Sequence, residues 1–198
     1  MIKPSLKELL KYSKKANVIP VYKEINADLD TPVSAFLKIR RAGYSFLLES
    51  VEGQEKIARY SFLGVNPALI FKSKGRQIEI IDCRKNKSRR FLTKRTPFDE
   101  IKQVMRNFRS VEVAGLPRFY GGLVGYIGYD TVRFIENIPD KNKDTLKIPD
   151  TLLILTDTLL IFDRLNHTIK IVHNVILPKA LSLFKKKQLY AQAIEKIE

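Results

Sequence analysis

The sequence predicts an α+β protein, with mainly antiparallel β-sheets and flanking helices. Short β-rich segments follow one another across polar turns at residues 44–63 and 68–82, which is typical of hairpins. Helical segments separate these hairpins, but strands and helices do not alternate strictly, as a parallel sheet would require. With 198 residues, 44% of them hydrophobic, the chain can bury about 70% of its unfolded surface without disulfides.

Each of four predicted helices begins with a recognisable start signal. The first carries a capping box, S-x-x-E, in which each of the two side chains binds a backbone N–H of the other residue. The second and third begin with Thr-Pro, since a hydroxyl caps a helix and proline suits its first position. The start residues are Ser5 with Glu8, Thr31, Thr96 and Pro178, and Gly43 is predicted to end the second helix.

The remaining segments are predicted as strands or loops. Residues 17–25 are β-rich, and the nearly continuous apolar run at 44–50 is expected to be covered on both faces. The run at 151–164 is too long and apolar for an edge strand, and it is predicted to pair with 168–177 as a hairpin. Residues 83–95 are predicted as a basic loop, because they contain little to bury.

The net charge of +15 raises the possibility of a nucleic-acid-binding module. The basic residues are dispersed, however, with one dense patch at residues 84–95 and smaller groups near both ends. No aromatic RNA-binding signature, zinc spacing or helix-turn-helix pattern accompanies them. A generally lysine-rich composition is therefore the favoured interpretation, and an acidic partner or missing segment that balances the charge is a second one.

Cysteine content and hydropathy point to the cytoplasm. The single cysteine, Cys83, excludes an internal disulfide, which fits a reducing compartment. No apolar run approaches the roughly 18 residues of a membrane span. The first residues are amphipathic and lysine-rich without a continuous apolar region, so no secretory signal is predicted.

Catalytic residue types are few and poorly spaced. His167 and His173 have no cysteine or carboxylate at metal-ligand spacing, so we predict no metal site and no catalytic residue in this chain. The glycines within residues 121–128 do not form a phosphate-binding loop and are expected to permit close backbone approach or a bent strand. Asp157 and Asp163 are six residues apart, which allows a carboxylate pair, but solvent-facing or turn-anchoring aspartates are the favoured interpretation.

The stretch LLESVEGQEKIARYSFLG combines charged and hydroxyl groups at one predicted hairpin mouth. Glu49 and Ser50 end its first strand, and Arg59 stands near the start of the second. From the residues alone, a strand end that meets solvent is the favoured explanation. A ligand with both charges would also suit them, since Glu49 attracts a cation and Arg59 a carboxylate. Aromatic neighbours that could enclose the apolar body of an amino acid are Tyr44, Phe46 and Tyr60.

A series of motifs resembles the N-terminal domain of anthranilate synthase component I. The resemblance runs from about residue 18 to residue 176, and its LLES, YSFLG and GGLVGYIGYD blocks are specific in combination. The fold implied is that of this domain. The matching segments, in order, are IPVYKEI, TPVSAFLKI, SFLLESVEG, ARYSFLG, LPRFYGGLVGYIGYDTVRFIE and PDTLLILTDTLLIFDRLNHTIKIV.

The resemblance implies a regulatory role in tryptophan biosynthesis. The complete enzyme converts chorismate, with ammonia from a glutamine amidotransferase subunit, into anthranilate and pyruvate. Mg²⁺ and the catalytic residues belong to a chorismate-binding domain that this chain lacks, so the chain alone is expected to be non-catalytic and to hold no cofactor. The LLES residues, here Glu49 and Ser50, bind the feedback inhibitor tryptophan, and a basic residue of the next strand maps to Arg59.

The implied organisation has three parts: an N-terminal helix at 1–17, the regulatory domain at 18–176, and a helix at 177–198 that leads toward the catalytic domain. One departure is Arg164, where the family often has histidine after Phe-Asp. The alternative functions are the N-terminal domain of aminodeoxychorismate synthase component I, in the folate pathway, and a basic nucleic-acid-binding module. The TPVSAFLKI segment favours the tryptophan-pathway enzyme.

Overall fold

The structure is a computed structural model of the chain, and it describes residues 1–49 and 59–198. The helices in these residues are α1 (Leu6–Tyr12), α2 (Pro32–Ile39), α3 (Pro97–Met105), α4 (Leu183–Ile197) and a 3-10 helix (Tyr129–Phe134). The strands are β1 (Ile2–Lys3), β2 (Val18–Asn26), β3 (Ser45–Leu48), β4 (Tyr60–Val65), β5 (Leu69–Lys74), β6 (Gln77–Asp82), β7 (Lys87–Leu92), β8 (Gly122–Ile127), β9 (Thr151–Thr156), β10 (Thr158–Asp163) and β11 (Thr168–Ile176).

The chain forms two compact units, each built on one sheet. The first unit comprises Met1–Asn66, Phe108–Gly122 and Thr156–Glu198, and its six strands lie in the order β1-β2-β11-β10-β4-β3. The second comprises Pro67–Asn107 and Leu123–Leu155, and its strands lie in the order β7-β6-β5-β9-β8. Every strand pair whose register is defined is antiparallel, which confirms the predicted α+β class. The predicted organisation into residues 1–17, 18–176 and 177–198 stays a prediction.

Helices cover one face of the first sheet. An irregular segment, residues 108–121, packs against core residues of β2, β10 and β11. α1 and α4 pack on β2 and β11 around Leu9, Val21 and Ile197, while α2 packs beside β4 and β10 through Ala35. Val113, from residues 108–121, joins a second cluster with core residues of β2, β10 and β11. Hydrogen bonds from the Tyr22 hydroxyl to the Ala114 carbonyl (2.9 Å) and from the Asn174 side chain to the Tyr120 carbonyl (2.7 Å) hold this segment in place.

The predicted helix starts are confirmed where capping is local. Ser5, Thr31 and Thr96 each form a complete capping box, with the residue three positions later as partner. Two other helix boundaries were predicted wrongly. α2 ends at Ile39, because the next residue is already extended, so Gly43 is not its stop signal. α4 begins after a Ser182 cap rather than at Pro178.

The predicted single strand at 151–164 is wrong, because the run is divided at Asp157. β9 pairs with β5 in the second sheet, whereas β10 lies between β11 and β4 in the first. Neither half is an edge strand, which explains the long apolar run. The predicted hairpin between β10 and β11 is confirmed.

Two further segments depart from their predictions. The predicted loop at 83–95 is wrong for its central residues, because β7 (Lys87–Leu92) pairs with β6 along its whole length and forms an edge of the second sheet. Its side chains are mostly exposed, so its backbone hydrogen bonds, rather than burial, define it as a strand. β3 pairs with β4 and is an edge strand of the first sheet. Leu48 is 43% exposed, so the apolar run predicted at 44–50 is not covered on both faces at this residue.

Close backbone approach explains one glycine of the GGLVGYIGYD block. Gly125 has a φ of +155°, and a Cβ there would lie 2.0 Å from the Leu152 carbonyl oxygen. Any side chain at this position would force β8 away from β9, which confirms the expected role of a glycine in this block. In the described part of the chain, no helix is long and apolar enough to cross a membrane.

His173 is a buried titratable group in β11. Its Nδ1 lies 2.7 Å from the hydroxyl of Thr158, and the side chain is almost fully enclosed. Burial lowers the pKa of His173 to about 4, although the nearby Asp157 carboxylate opposes the shift and Lys196 reinforces it. The folded protein therefore keeps this imidazole neutral in a pH range where the unfolded chain protonates it.

This difference in proton binding predicts a pH-dependent stability. Above pH 6.5 the imidazole is neutral in both states, whereas between pH 6.5 and 4 only the unfolded state gains the proton, so stability falls as the pH falls. Urea denaturation from pH 7 to 4 should show a loss of up to about 3 kcal/mol that is absent in His173→Gln. His167→Gln, at an exposed turn, is the control, and its free energy of unfolding should depend on pH as in the wild type. If the free energy of unfolding of His173→Gln fell with pH as steeply as that of the wild type, the assignment would be contradicted.

Candidate functional site

The candidate site lies where three strands end together. The register pairs Leu48 with Phe62 and Tyr60 with Asp163, so the end of β3, the start of β4 and the end of β10 share one end of the first sheet. Antiparallel pairing thus brings Glu49, which follows β3, to the same end as the residues next to Tyr60 and Asp163. The Arg164 N–H donates to the Arg59 carbonyl oxygen at 3.0 Å and continues the β4–β10 ladder by one residue.

The carboxylate of Asp163 is the centre of this site. It is 2% exposed and accepts two parallel hydrogen bonds from Arg59, from Nε to Oδ1 at 2.9 Å and from Nη2 to Oδ2 at 2.6 Å. It also accepts the backbone N–H groups of Leu165 and Asn166 and the Asn166 side-chain amide, at 3.2, 3.3 and 3.0 Å. Burial by itself would raise the pKa of Asp163, but the Arg59 and Asn166 hydrogen bonds outweigh it and lower that pKa.

Arg59 is therefore held by a buried internal partner. Its guanidinium donates to Asp163 in a bidentate arrangement and lies 4.9 Å from the centre of the Tyr60 ring. Removing a cation from a buried carboxylate leaves an uncompensated charge and costs on the order of 3–5 kcal/mol. The predicted role of Arg59 as a ligand contact stays a prediction, and the arrangement gives Arg59 a structural role.

Glu49 forms the second ion pair of the site, with Arg164. The arginine side chain is 38% exposed and the glutamate side chain 21%, so water reaches both members of this pair, whereas Asp163 is almost fully buried. An exposed ion pair contributes about 0–1 kcal/mol, far less than the buried pair beside it. Of the two ion pairs, the one between Glu49 and Arg164 is therefore much the easier to open.

The other predicted site residues fall in different places. Ser50 lies outside the described residues. Tyr44 precedes β3 and Glu49 follows it, so about 16 Å of strand separates them, and Tyr44 is not part of this sheet end. Phe46 lies against Gly64 on β4. Of the three predicted aromatic residues, only Tyr60 lies within this group of charges.

The alternative catalytic arrangements receive no support from the described contacts. Asp157 and Asp163 lie at opposite ends of β10, so the carboxylate pair that their spacing allowed is wrong, and Asp163 instead anchors a turn. Desolvation, followed by the charge of Asp82, raises the pKa of the Cys83 thiol, which does not favour a thiolate. Among the described residues, no three His, Cys, Asp or Glu side chains are grouped to hold a metal ion.

A separate cavity of about 540 Å³ lies in the second unit. Several of its charged side chains pair with one another: Lys74 with Asp144 and Asp150, at 2.7 and 2.8 Å, and Arg133 with Asp130 at 3.0 Å. None of the predicted site residues lines it.

Sequence analysis did not find the ion-pair partners of Glu49 and Arg59. Arg59 and Asp163 are 104 residues apart, and Glu49 and Arg164 are 115 apart, so no local pattern connects them. One usable signal existed, since an aspartate at a strand end three residues before an asparagine often accepts the N–H groups of the following turn. Among the described residues of this sheet end there is no nucleophile with an adjacent base, but the partly exposed carboxylate of Glu49 and the exposed guanidinium of Arg164 are available to a charged ligand.

Comparison with known proteins identifies relatives over most of the chain. Anthranilate synthase component 1 of Acetivibrio thermocellus is 40% identical over 175 residues, which is 88% of this chain and 35% of that protein. The protein of the same name from Aquifex aeolicus is 43% identical over 169 residues, 85% of this chain and 34% of its relative. No protein-family model matches the chain.

A solved structure supports the fold. The crystal structure of anthranilate synthase component I from Streptococcus pneumoniae TIGR4 superposes with a TM-score of 0.52 at 23% identity, over 87% of this chain and 36% of the other. The chain thus has the α+β fold of part of a biosynthetic enzyme component. In sequence and fold it is similar to part of anthranilate synthase component I, and it spans about a third of the length of the curated relatives that it matches.

The buried ion pair should dominate the stability of this sheet end. Asp163→Asn keeps the shape of the side chain but replaces one accepting oxygen with an NH2 group that faces N–H donors of Arg59 or of the turn, so the free energy of unfolding should fall by about 3 kcal/mol. Asp144→Asn, which removes a carboxylate from a pair exposed at the surface, is the control and should cost much less than Asp163→Asn. Urea denaturation at pH 7 measures both, and equal losses would contradict the importance given to Asp163.

Proposed function

We propose that this chain is the regulatory part of an anthranilate synthase component I and that it binds L-tryptophan as feedback inhibitor. The observation that carries the proposal is the match to component 1 proteins over 85–88% of the chain. The complete enzyme would convert chorismate and ammonia into anthranilate, pyruvate and water. Ammonia would come from a glutamine amidotransferase subunit.

The chemistry of that reaction is assigned to polypeptide other than this chain. The described residues do not group the ligands that Mg²⁺ requires, so no step of the reaction is placed here. The proposal assigns Mg²⁺ and chorismate to a chorismate-binding domain, joined to this chain or present as a separate partner. This chain would then bind the inhibitor, and inhibitor binding would lower the affinity of the enzyme for chorismate.

The inhibitor site is proposed at the sheet end where Glu49 and Arg164 lie, with Ser50 included as the residue that follows Glu49 in the sequence. The carboxylate of Glu49 is held by an exposed ion pair and can accept the ammonium group of an amino acid. Ser50, the next residue, supplies a hydroxyl that can donate or accept a hydrogen bond. Arg59 supports the site through its pair with the buried Asp163.

Inhibition follows from linkage between the two ligands. If tryptophan binds better to the arrangement of the enzyme that has low affinity for chorismate, then chorismate must weaken tryptophan binding by the same factor. A coupling free energy of about 1–3 kcal/mol is sufficient for ordinary feedback.

Isothermal titration calorimetry of the chain with L-tryptophan tests the proposal. We expect weak but saturable binding by the wild type, and at least a tenfold higher Kd for Glu49→Gln, because the ammonium group loses a charged hydrogen-bond acceptor. Ser50→Phe should abolish binding by filling the site. Glu79→Gln, which removes a carboxylate paired with Arg90 in the second unit, is the control and should bind like the wild type. A wild-type chain with no heat of binding would contradict the proposal.

A further inference from the structure

Two arginines lie at the proposed inhibitor site, and they differ in how freely they can change partners. Arg59 is bound through two nitrogen atoms to a carboxylate that is 2% exposed. Arg164 is bound to the carboxylate of Glu49 at the surface, where water can replace either partner. A ligand can therefore recruit Arg164 without uncovering a buried charge, whereas recruiting Arg59 would leave Asp163 without its cation.

The backbone of Arg164 is held in place, although its guanidinium is exposed. The Arg164 N–H donates to the Arg59 carbonyl oxygen at 3.0 Å, and the adjacent Asp163 carboxylate holds the turn that follows. Only the flexible side chain has to move when its partner changes. Its guanidinium would then swing about a fixed point beside Glu49.

We infer that Arg164 is the residue that recognises the carboxylate of the amino-acid inhibitor, an inference that rests on the function proposed above. The ligand inserts into the ion pair, so that its ammonium group binds Glu49 and its carboxylate binds the guanidinium of Arg164. Each charge of the pair exchanges one opposite charge for another, and the planar guanidinium fits a carboxylate through two parallel hydrogen bonds. Arg59 stays on Asp163 throughout.

This arrangement selects for ligands that carry both charges. An amine without a carboxylate can bind Glu49 only by displacing Arg164, and it offers the arginine nothing in return. A carboxylate without an ammonium group can bind Arg164 only by leaving Glu49 without a cation. The specificity for an α-amino acid is then a property of the pair rather than of either residue.

Calorimetry with L-tryptophan and with tryptamine, which lacks the carboxylate, separates this role from simple competition. For Arg164→Gln we expect the Kd for tryptophan to rise about tenfold or more, and the Kd for tryptamine to stay the same or to fall. Arg164→Lys, which keeps the charge but not the planar fork, should recover part of the tryptophan affinity. Arg84→Gln is the matched control, because its side chain is also 38% exposed and paired with a nearby carboxylate, that of Asp82.

The possible outcomes distinguish the inference from the proposed function. If the wild type binds tryptophan, Glu49→Gln weakens it and Arg164→Gln does not, the inference is wrong while the proposed site stands. If Arg164→Gln binds both ligands more tightly, Arg164 only competes for Glu49, which also overturns the inference. If the wild type does not bind tryptophan, the proposed function fails and this inference fails with it.

Discussion

The candidate site depends on one buried carboxylate, that of Asp163. A charge taken out of water is tolerated only when hydrogen bonds and an opposite charge replace the lost solvation. Asp163 meets this condition with the Arg59 guanidinium and with three N–H groups of the turn that follows it. The same set of bonds joins the end of β10, the start of β4 and the turn into β11, so the electrostatic requirement of one side chain fixes the geometry of the sheet end.

Because Asp163 needs a cation, Arg59 has a structural role, whereas Arg164 is the arginine that we propose binds the ligand. Arg59 satisfies the buried carboxylate and cannot leave it without a large cost, while Arg164 holds Glu49 by a bond that contributes little in water. In a protein with a net charge of +15, the described residues of this sheet end include two acids paired with two bases. In the proposed binding mode, the ligand is selected by the exchange of partners within the Glu49–Arg164 pair rather than by the excess of positive charge elsewhere.

Sequence predicted the features whose causes are local. The capping box at Ser5 and the hydroxyl caps at Thr31 and Thr96 were predicted correctly, because all their partners lie within three residues. The division of residues 151–164 between two sheets was missed, because a continuous apolar run shows burial but not which strands cover it. β7 was missed for the opposite reason, since a polar edge strand has no burial pattern to read. At the site, the positions of Glu49 and Arg59 were predicted and their ion-pair partners were not, because those partners lie more than a hundred residues away.

The most direct measurement is a crystal structure of the chain with L-tryptophan. The account predicts the ligand between Glu49 and Arg164, with its ammonium group on the glutamate, its carboxylate on the arginine, and the bond between Arg59 and Asp163 intact. A ligand carboxylate bound to Arg59, with Asp163 released, would contradict the account, as would a sheet end that stays empty at saturating tryptophan.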